Sequence, residues 1–225
     1  VELRWLRHVA PLYEGLQERL QLPPGDDWAG PFEHSGARGL HMQLWYKRTA
    51  EDVVSTVAKT TLPGTLEQGV ALLHEADLQY RWMPCVASSP SEWSCSIPAV
   101  LVNLHVKLPI VPKVISTLLH RGFVDLVAAD GRVVVGTIEF TPPDHELAHG
   151  RYCGIQAPPA PARSVKSGVK LATSFLQEEG GGRFSLTSRV DYGGIPYAPE
   201  FLVRRFFQIN CRLFAQRMHT CLQDF

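Results

Sequence analysis

The sequence predicts an α+β fold in which a strongly twisted antiparallel sheet is covered by a long C-terminal helix. Strand patterns follow one another from residue 93 to residue 191, and short turn signals of Gly, Pro and Asp separate them. Strands joined by short turns pair antiparallel, which leaves one face of the sheet to be covered. The last pattern in the chain, over residues 199–222, has helical periodicity and is the longest cover available.

Composition indicates one folded domain over residues 1–225. Apolar residues make up 45% of the chain and charged residues 20%, which is ordinary for a globular protein. Because 22 Lys and Arg balance 22 Asp and Glu, no strong positive field attracts nucleic acid, and no nucleic-acid partner is expected. The five cysteines form no CxxC pair and are expected to be reduced thiols; the alternative, in an oxidising compartment, is a pair of Cys85 and Cys95 across a hairpin. Prolines interrupt the most apolar tract, 97–119, so no membrane span is predicted.

The first eighty residues predict two helices around a pair of strands. Leucines and valines recur at helical spacing in residues 1–21, and a stretch rich in Pro, Gly and Asp from 22 to 38 predicts a surface loop. Alternating apolar residues over 39–47 and the segment 53–60 predict strands. Thr65 is suited to cap a helix that runs to residue 82.

The remaining strands complete a predicted sheet over residues 39–191 with inserted helices. They lie around residues 93–97, 100–107, 122–128, 132–140, 150–157, 168–179 and 184–191. Turn signals separate several of them: ADG at 129–131, PPD at 142–144 and GGG at 180–182. Strands on either side of such a turn are expected to be neighbours in the sheet.

The C-terminal helix, predicted within residues 196–222, has an unusually broad apolar surface. Successive residues are about 100° apart on a helix, and one sector holds Leu202, Phe206, Ile209 and Leu213. The adjoining sector holds Val203, Phe207, Phe214 and Met218. Such a surface suits a helix that touches a sheet on one flank and another apolar body on the other, and equally a helix packed in a large core. Arginines on the remaining face suit either a solvated surface or contact with anionic lipid headgroups.

Four short segments carry a family likeness when they are taken in order. Trp82-Met83-Pro84 is followed by residues 106–124, where a proline-containing strand leads to an Arg-x-Phe-Val sequence. Residues 139–158 place a proline before a glycine and a strand, and residues 168–202 contain two strands, a Gly-Gly-Ile-Pro turn and the start of the last helix. In content and order these segments resemble the START family, the lipid-transfer domains related to the steroidogenic acute regulatory protein, over essentially the whole chain.

The resemblance implies a helix-grip fold, in which a curved antiparallel sheet wraps around the long C-terminal helix and encloses a lipid-sized cavity. A sterol, a phospholipid or a sphingolipid would fill the cavity, driven by burial of apolar surface at about 25 cal/mol per Å². The implied function is extraction, shielding and release of the lipid during transient contact with membranes. It requires no covalent chemistry and no cofactor, and the domain is expected to be a soluble, cytoplasmic-facing monomer.

The same resemblance suggests which residues line the cavity. The apolar candidates are Trp82, Phe123, Leu202, Phe206, Ile209 and Leu213, and each can equally be an ordinary core residue. The polar candidates for a headgroup are Arg121, Asp125 and Arg151, which can equally form structural ion pairs. Gly193, Gly194 and Pro196 are expected to shape the turn into the helix, because glycine permits positive φ. A cavity that has closed and serves only as an interaction surface is a further possibility.

The chain departs from the family pattern at two positions. Gly122 follows Arg121 where the family commonly has the Asp of Arg-Asp-Phe-Val. Val127 stands where some sterol and phospholipid binders place a second arginine. The sequence therefore does not support headgroup recognition by that second arginine.

The segment HELAH, residues 145–149, supports a different hypothesis, a zinc-dependent hydrolase. In H-E-x-x-H sites two histidines one helical turn apart bind zinc, and the glutamate activates water; here these would be His145, His149 and Glu146. The chemistry requires a helix, yet two prolines precede the motif and a glycine follows it. A third ligand would have to be Glu178 or Glu179, which belong to a predicted strand and turn. The competing interpretation is a solvated hairpin loop.

Overall fold

The computed structural model describes residues 25–50, 53–93, 99–108, 113–127, 133–147, 149–193 and 199–224. The helix predicted over residues 1–21 lies outside them, as do Gly194 and Pro196 of the turn before the last helix.

The described residues form strands and helices in the predicted order. The strands are β1 Ala29–Ser35, β2 His41–Ala50, β3 Val53–Pro63, β4 Val86–Ser88, β5 Ser91–Trp93, β6 Ala99–Val106, β7 Ile115–Val127, β8 Val133–Phe140, β9 Arg151–Tyr152, β10 Ile155–Gln156, β11 Val165–Lys166, β12 Gly168–Glu178 and β13 Arg183–Gly193. The α-helices are α1 Leu66–His74, α2 Gln79–Trp82 and α3 Glu200–Gln223. Short 3-10 turns lie at Ala37–Gly39, Ala76–Leu78 and Asp144–Glu146.

One large sheet organises these elements. Its strand order is β1-β2-β3-β13-β12-β8-β7-β6-β4, with β5 on β6 and β11 on β7, and β9 and β10 form a separate hairpin. Neighbours along the main path are antiparallel, as predicted, and among the described strands only the short β11 pairs in parallel. The last strand, β13, lies between β3 and β12, so it joins the beginning of the chain to the middle.

The hairpin between β12 and β13 forms where three glycines were predicted to turn the chain. Gly180, Gly181 and Gly182 have φ of +76°, +63° and +68°, a region that side chains disfavour. The resulting register places Ser174 opposite Ser188.

The helix predicted from Thr65 to Trp82 is divided into three short pieces. Thr65 caps α1 as expected, accepting from the backbone N–H of Gln68 while the Gln68 side chain accepts from the backbone N–H of Thr65. The helix stops because Glu75 adopts ψ of 67°, outside the helical range. A 3-10 turn and α2 follow, which re-aims the chain so that Trp82 is buried against α3.

The helix α3 packs on one face of the sheet, here called the inner face. Its buried residues are Cys211, Ala215, Met218, Cys221 and Leu222. They form one apolar cluster with residues of β2, α1 and the centre of the sheet, including Met42, Leu72 and Leu176. The α3 side chains therefore seal the β1–β3 end of the sheet.

Three differences from the predicted elements have local causes. β1 lies inside the predicted surface loop. Gly30 and Pro31 are typical of loops, but Pro is also tolerated in an edge strand such as this one. β7 begins at Ile115, seven residues before the predicted start at 122. The prediction missed these residues because their pattern is also compatible with a helix. Residues 150–157 form two two-residue strands rather than one.

Candidate ligand-binding site

A row of hydroxyl groups crosses the inner face between two apolar clusters. Along β12, Ala172 belongs to one cluster, Ser174 follows at the next inward position, and Leu176 belongs to the other. Along β13 the same pattern repeats with Val190, Ser188 and Leu186. Side chains on a strand alternate between the two faces, so both serines point inward.

The row extends across three adjacent strands. Thr137 of β8 lies opposite Ser174, and Ser174 lies opposite Ser188. The two serine hydroxyl oxygens are 3.0 Å apart and share one hydrogen bond. Thr137 is buried, and its hydroxyl makes no hydrogen bond within the described structure. A buried hydroxyl without a partner is uncommon, so this row, called the hydroxyl row below, has unused hydrogen-bonding capacity.

An ion pair lies in the next row of the inner face. Arg121 of β7 and Glu139 of β8 are directly opposite each other, and Nε of Arg121 donates to Oε1 of Glu139 at 2.6 Å. The side chains are 1% and 15% exposed, respectively. Nη1 of Arg121 also donates to the carbonyl oxygen of Leu73 at 2.7 Å, which fastens the end of α1 to the sheet.

Tyr192, near the end of β13, lies deep in the protein. Burial and, to a smaller extent, the charge of Glu139 raise the pKa of its phenol to about 12, although a hydrogen bond with Thr56 partly offsets both effects. The side chain nevertheless retains accessible surface.

Accessible surface is concentrated where the two apolar clusters meet. Ala58, Ser174, Ser188 and Val190 are all half-buried inner-face residues, whereas inner-face neighbours such as Leu186 are buried. The helix α3 packs mainly on β1, β2, α1 and α2, and it makes little contact with the central strands β12 and β13. The middle of the inner face is therefore packed less closely against α3 than the β1–β3 end of the sheet is.

The beginning of α3 is tied to β2 of the sheet by Tyr46. The Tyr46 hydroxyl donates to Oε1 of Glu200, and the Tyr46 ring stacks on Phe207 with centroids 4.7 Å apart. Burial and the Glu200 carboxylate raise the pKa of Tyr46 to about 12. Arg48 and Arg204 lower that pKa, but their effect is weaker than that of Glu200.

The apolar candidates outside α3 have different surroundings. Trp82 is 5% exposed and packs edge-on against Phe214 at 5.5 Å, so it is a core residue beneath the helix. Phe123 is half-buried and lies at the end of the hydroxyl row, opposite Thr137. It contacts the rings of His74 and Trp93, with centroids 4.9 and 6.0 Å away.

The four α3 candidates do not share one environment. Leu202 and Phe206 are half-buried, whereas Ile209 and Leu213 are 44% and 38% exposed. The side facing the sheet is instead formed by the adjoining sector, which contains Phe207, Phe214 and Met218. Ile209 and Leu213 were predicted to line the cavity, but in the structure they lie on the outward side of the helix.

The polar candidates are brought together only in part. Arg121 lies on the inner face as described, and Asp125 lies four residues further along β7 at an inward register position. Its side chain is outside the described residues.

Arg151 is exposed on the separate β9–β10 hairpin, where its Nε donates to Gln156 at 3.3 Å. The neighbouring Tyr152 packs against His120 and Phe140, which belong to the opposite, outer face of the sheet. Arg151 is thus separated from the hydroxyl row by the sheet itself.

Gly193 does not require the freedom of glycine. It is the last residue of β13, and its φ is not positive. A Cβ there would meet its nearest atom, Cε of Lys170, at an ordinary 3.6 Å. The predicted role of positive φ in this turn therefore does not apply to Gly193.

The HELAH segment does not adopt the geometry of a zinc site. Residues 144–146 form a single 3-10 turn, and His149 has a φ of +52° in the turn that follows. The two histidines therefore do not share a helical face, and the side chain of His145 is 81% exposed. Within the described residues, no three His, Cys, Asp or Glu side chains are grouped so that they could hold a metal ion. The structure gives the hydrolase hypothesis no support.

The residues of the hydroxyl row, with Glu139, Thr56 and Tyr192, were not identified from the sequence as site candidates. Serine and threonine occur in many strands, and only the combination of strand alternation with hairpin register places these on one face. None of the helices described is long and apolar enough to cross a membrane.

The complete fold is similar to several solved lipid-transfer domains. The human StAR-related lipid transfer protein 5 matches with a TM-score of 0.67 at 14% identity, over 98% of this chain and 99% of that chain. Human STARD10 matches with 0.65 at 11% identity, over 95% of this chain and 80% of that one. The lipid transfer and protein localization domain of human StarD13 matches with 0.61 at 12% identity, over 95% and 98%.

At such low identities these matches establish the fold and not the function. They confirm the predicted likeness to START domains at the level of structure and the helix-grip arrangement of sheet and C-terminal helix. No family model matches the chain, and no curated protein matches it in sequence.

Proposed function

We propose that this domain binds one lipid molecule between the inner face of its sheet and α3, and carries it between membranes without chemical change. The observation that carries the proposal is the group of half-buried residues in the middle of the inner face, flanked by fully buried ones. In a solidly packed core these central positions would be the most buried. The helix-grip fold, shared with domains named for lipid transfer, supports the same function.

The lining suits a molecule that is mostly hydrocarbon. The walls on either side of the hydroxyl row are aliphatic, with Val102, Leu104 and Leu119 in one cluster and Leu44 and Leu186 in the other. Transfer of apolar surface into such an environment is favourable by about 25 cal/mol per Å². A few polar groups at one level of the wall would then fix the orientation of the ligand.

Native mass spectrometry tests the binding step directly. The purified domain, incubated with vesicles of mixed natural lipids and separated from them, is expected to carry one lipid molecule per chain. A Ser188→Trp variant, which fills the proposed space, is expected to lose that lipid. Thr187→Trp on the outer face of the same strand is the matched control and should retain it. If the unmodified domain carries no lipid, or if Ser188→Trp retains as much lipid as Thr187→Trp, the proposed site is refuted.

Membrane contact is the second part of the proposed function. The outward side of α3 presents Phe201, Ile209 and Leu213, which are 69%, 44% and 38% exposed. The exposed Arg205 and Arg212 lie among them along the helix. A surface of apolar residues and arginines is suited to the interface of an anionic bilayer.

Vesicle flotation tests this contact. The domain is expected to float with phosphatidylcholine vesicles that contain phosphatidylserine, and less with vesicles that lack it. An Ile209→Ser, Leu213→Ser variant should float less, whereas Gln216→Ser, also on an exposed position of α3, should behave as the unmodified domain. Equal flotation of all three proteins would exclude this side of the helix as the contact surface.

A further inference from the structure

We propose that the ligand is an uncharged lipid whose polar group is a hydroxyl, as in a sterol, a diacylglycerol or a ceramide. This inference rests on the proposed lipid-binding function and names the ligand class for the same site. It follows from which charges and hydrogen bonds of the inner face are already used.

The cation beside the hydroxyl row is not available to a phosphate group. Two of the three guanidinium nitrogens of Arg121 are engaged, Nε by Glu139 at 2.6 Å and Nη1 by the carbonyl of Leu73 at 2.7 Å. A phosphate that approached Arg121 would also meet the carboxylate of Glu139, which repels it. Drawing the arginine away would leave that carboxylate buried and unpaired, which is strongly unfavourable.

The carboxylates of Glu139 and Glu200 each act on a tyrosine of the inner face. The charge of Glu139 reaches Tyr192 and contributes to raising the pKa of that phenol. At the other side of the inner face, Glu200 has a larger effect on Tyr46 than Arg48 and Arg204 do. Neither pKa shift indicates an excess of positive charge at these two tyrosines.

Among the described residues, the aromatic group beside the hydroxyl row does not form a cage for a choline headgroup. Quaternary ammonium groups bind over the open faces of aromatic rings. The aromatic group next to the hydroxyl row consists of His74, Trp93 and Phe123, whose centroids are 4.6 to 6.0 Å apart. The rings pack against one another, so their facing surfaces are occupied and leave no gap for a cation.

The hydroxyl row, in contrast, matches an alcohol. Ser174 and Ser188 share one hydrogen bond, which uses one of their two protons and leaves the other proton and further lone pairs free. The Thr137 hydroxyl lies in the same row, is buried and has no partner in the described structure. A ligand hydroxyl can donate to one of these oxygens and accept from another, so a single uncharged group satisfies the row.

A competition experiment tests the ligand class. The domain is incubated with vesicles that contain equal amounts of phosphatidylcholine, phosphatidic acid, cholesterol and diacylglycerol, and the retained lipid is identified by mass spectrometry. We expect cholesterol or diacylglycerol to exceed either phospholipid at least about tenfold. Retention of a phospholipid in preference to both alcohols would overturn this inference and leave the proposed function intact. Retention of no lipid would overturn the proposed function itself.

A variant experiment tests the hydroxyl row. In a Ser174→Ala, Ser188→Ala variant, affinity for cholesterol is expected to fall about tenfold, the loss that follows from one or two hydrogen bonds. Affinity for cholestane, which has the same hydrocarbon skeleton without the hydroxyl, should not change. Thr187→Ala on the outer face is the control and should leave both affinities unchanged. Equal losses for cholesterol and cholestane would mean that the serines support the fold and do not contact the ligand hydroxyl.

Discussion

The buried ion pair of Arg121 and Glu139 allows a sharp test of how charge is held inside this fold. Arg121→Met and Glu139→Met each leave one charge in the protein interior without a partner. Because the arginine is 1% exposed and the glutamate 15%, water cannot replace the missing partner. Removal of one member of a buried pair costs about 3–5 kcal/mol in the free energy of unfolding. For a chain of this size that is a fall in Tm of roughly 6–20 °C, at about 2–4 °C per kcal/mol.

The Arg121→Met, Glu139→Met double variant measures how much of each single loss comes from leaving the other charge without a partner. Two methionines of similar volume remove both charges together, and such replacements are often close to neutral. The carbonyl of Leu73 would still lose its donor, at a cost of about 1–3 kcal/mol. The double variant is therefore expected to be more stable than either single variant, with a coupling energy of about 3 kcal/mol.

Urea unfolding of lipid-free protein measures all three variants, provided that the slope m is unchanged. The matched control is Asp224→Asn, which breaks the Arg81–Asp224 pair. That pair is as short, at 2.5 Å, but its side chains are 40% and 53% exposed. The control should cost at most about 1 kcal/mol. The reasoning is refuted if Arg121→Met costs no more than the control, or if the two single losses simply add in the double variant.

Three further outcomes test other parts of the fold. Gly69→Ala should lower the free energy of unfolding by about 1–3 kcal/mol in spite of its better helix propensity, because the new Cβ would lie 2.7 Å from Cε2 of the buried Phe184. In a Phe184→Leu background, Gly69→Ala should cost less than it does in the unmodified domain, because the smaller side chain leaves room for the new Cβ. An equal cost in both backgrounds would contradict the packing argument. Thr65→Ala should cost about 1 kcal/mol by removing the cap of α1, and an unchanged Tm would show that the cap contributes nothing. Stability in urea should fall as pH rises above about 10, since the unfolded tyrosines ionise there while Tyr46 and Tyr192 stay protonated up to about 12 in the fold. Tyr192→Phe should flatten that decline, and an identical pH profile would contradict the raised pKa.

The sheet could be predicted from the sequence because glycine and aspartate mark the turns between its strands. The glycines at 180–182 centre one hairpin on residue 181, which by itself pairs Ser174 with Ser188. The ADG signal at 129–131 centres another on residue 130, which pairs Arg121 with Glu139. Both features of the candidate site therefore follow from turn position and strand alternation, although neither was drawn from the sequence.

The contributions of α3 could not be predicted in the same way. Its apolar arc is so broad that hydrophobic residues occur on the sheet-facing side and on the outward side alike. Only the tertiary structure distinguishes Phe207 and Met218, which pack on the sheet, from Ile209 and Leu213, which do not. The split of the helix at Glu75 likewise depends on packing, because no proline or glycine marks it.

The position of β13 in the sheet affects how the chain can fold as it is synthesised. β3 ends at Pro63, but its second partner, β13, ends at Gly193, about 130 residues later. At about 5–20 residues per second, a ribosome needs roughly 7–26 s to deliver that partner. During this interval β3 has an open hydrogen-bonding edge with apolar residues such as Val57 and Leu62, the kind of edge that invites pairing with other chains. We therefore expect the early strands of the nascent domain to avoid pairing with other chains, or to be protected by chaperones, until β13 has been synthesised.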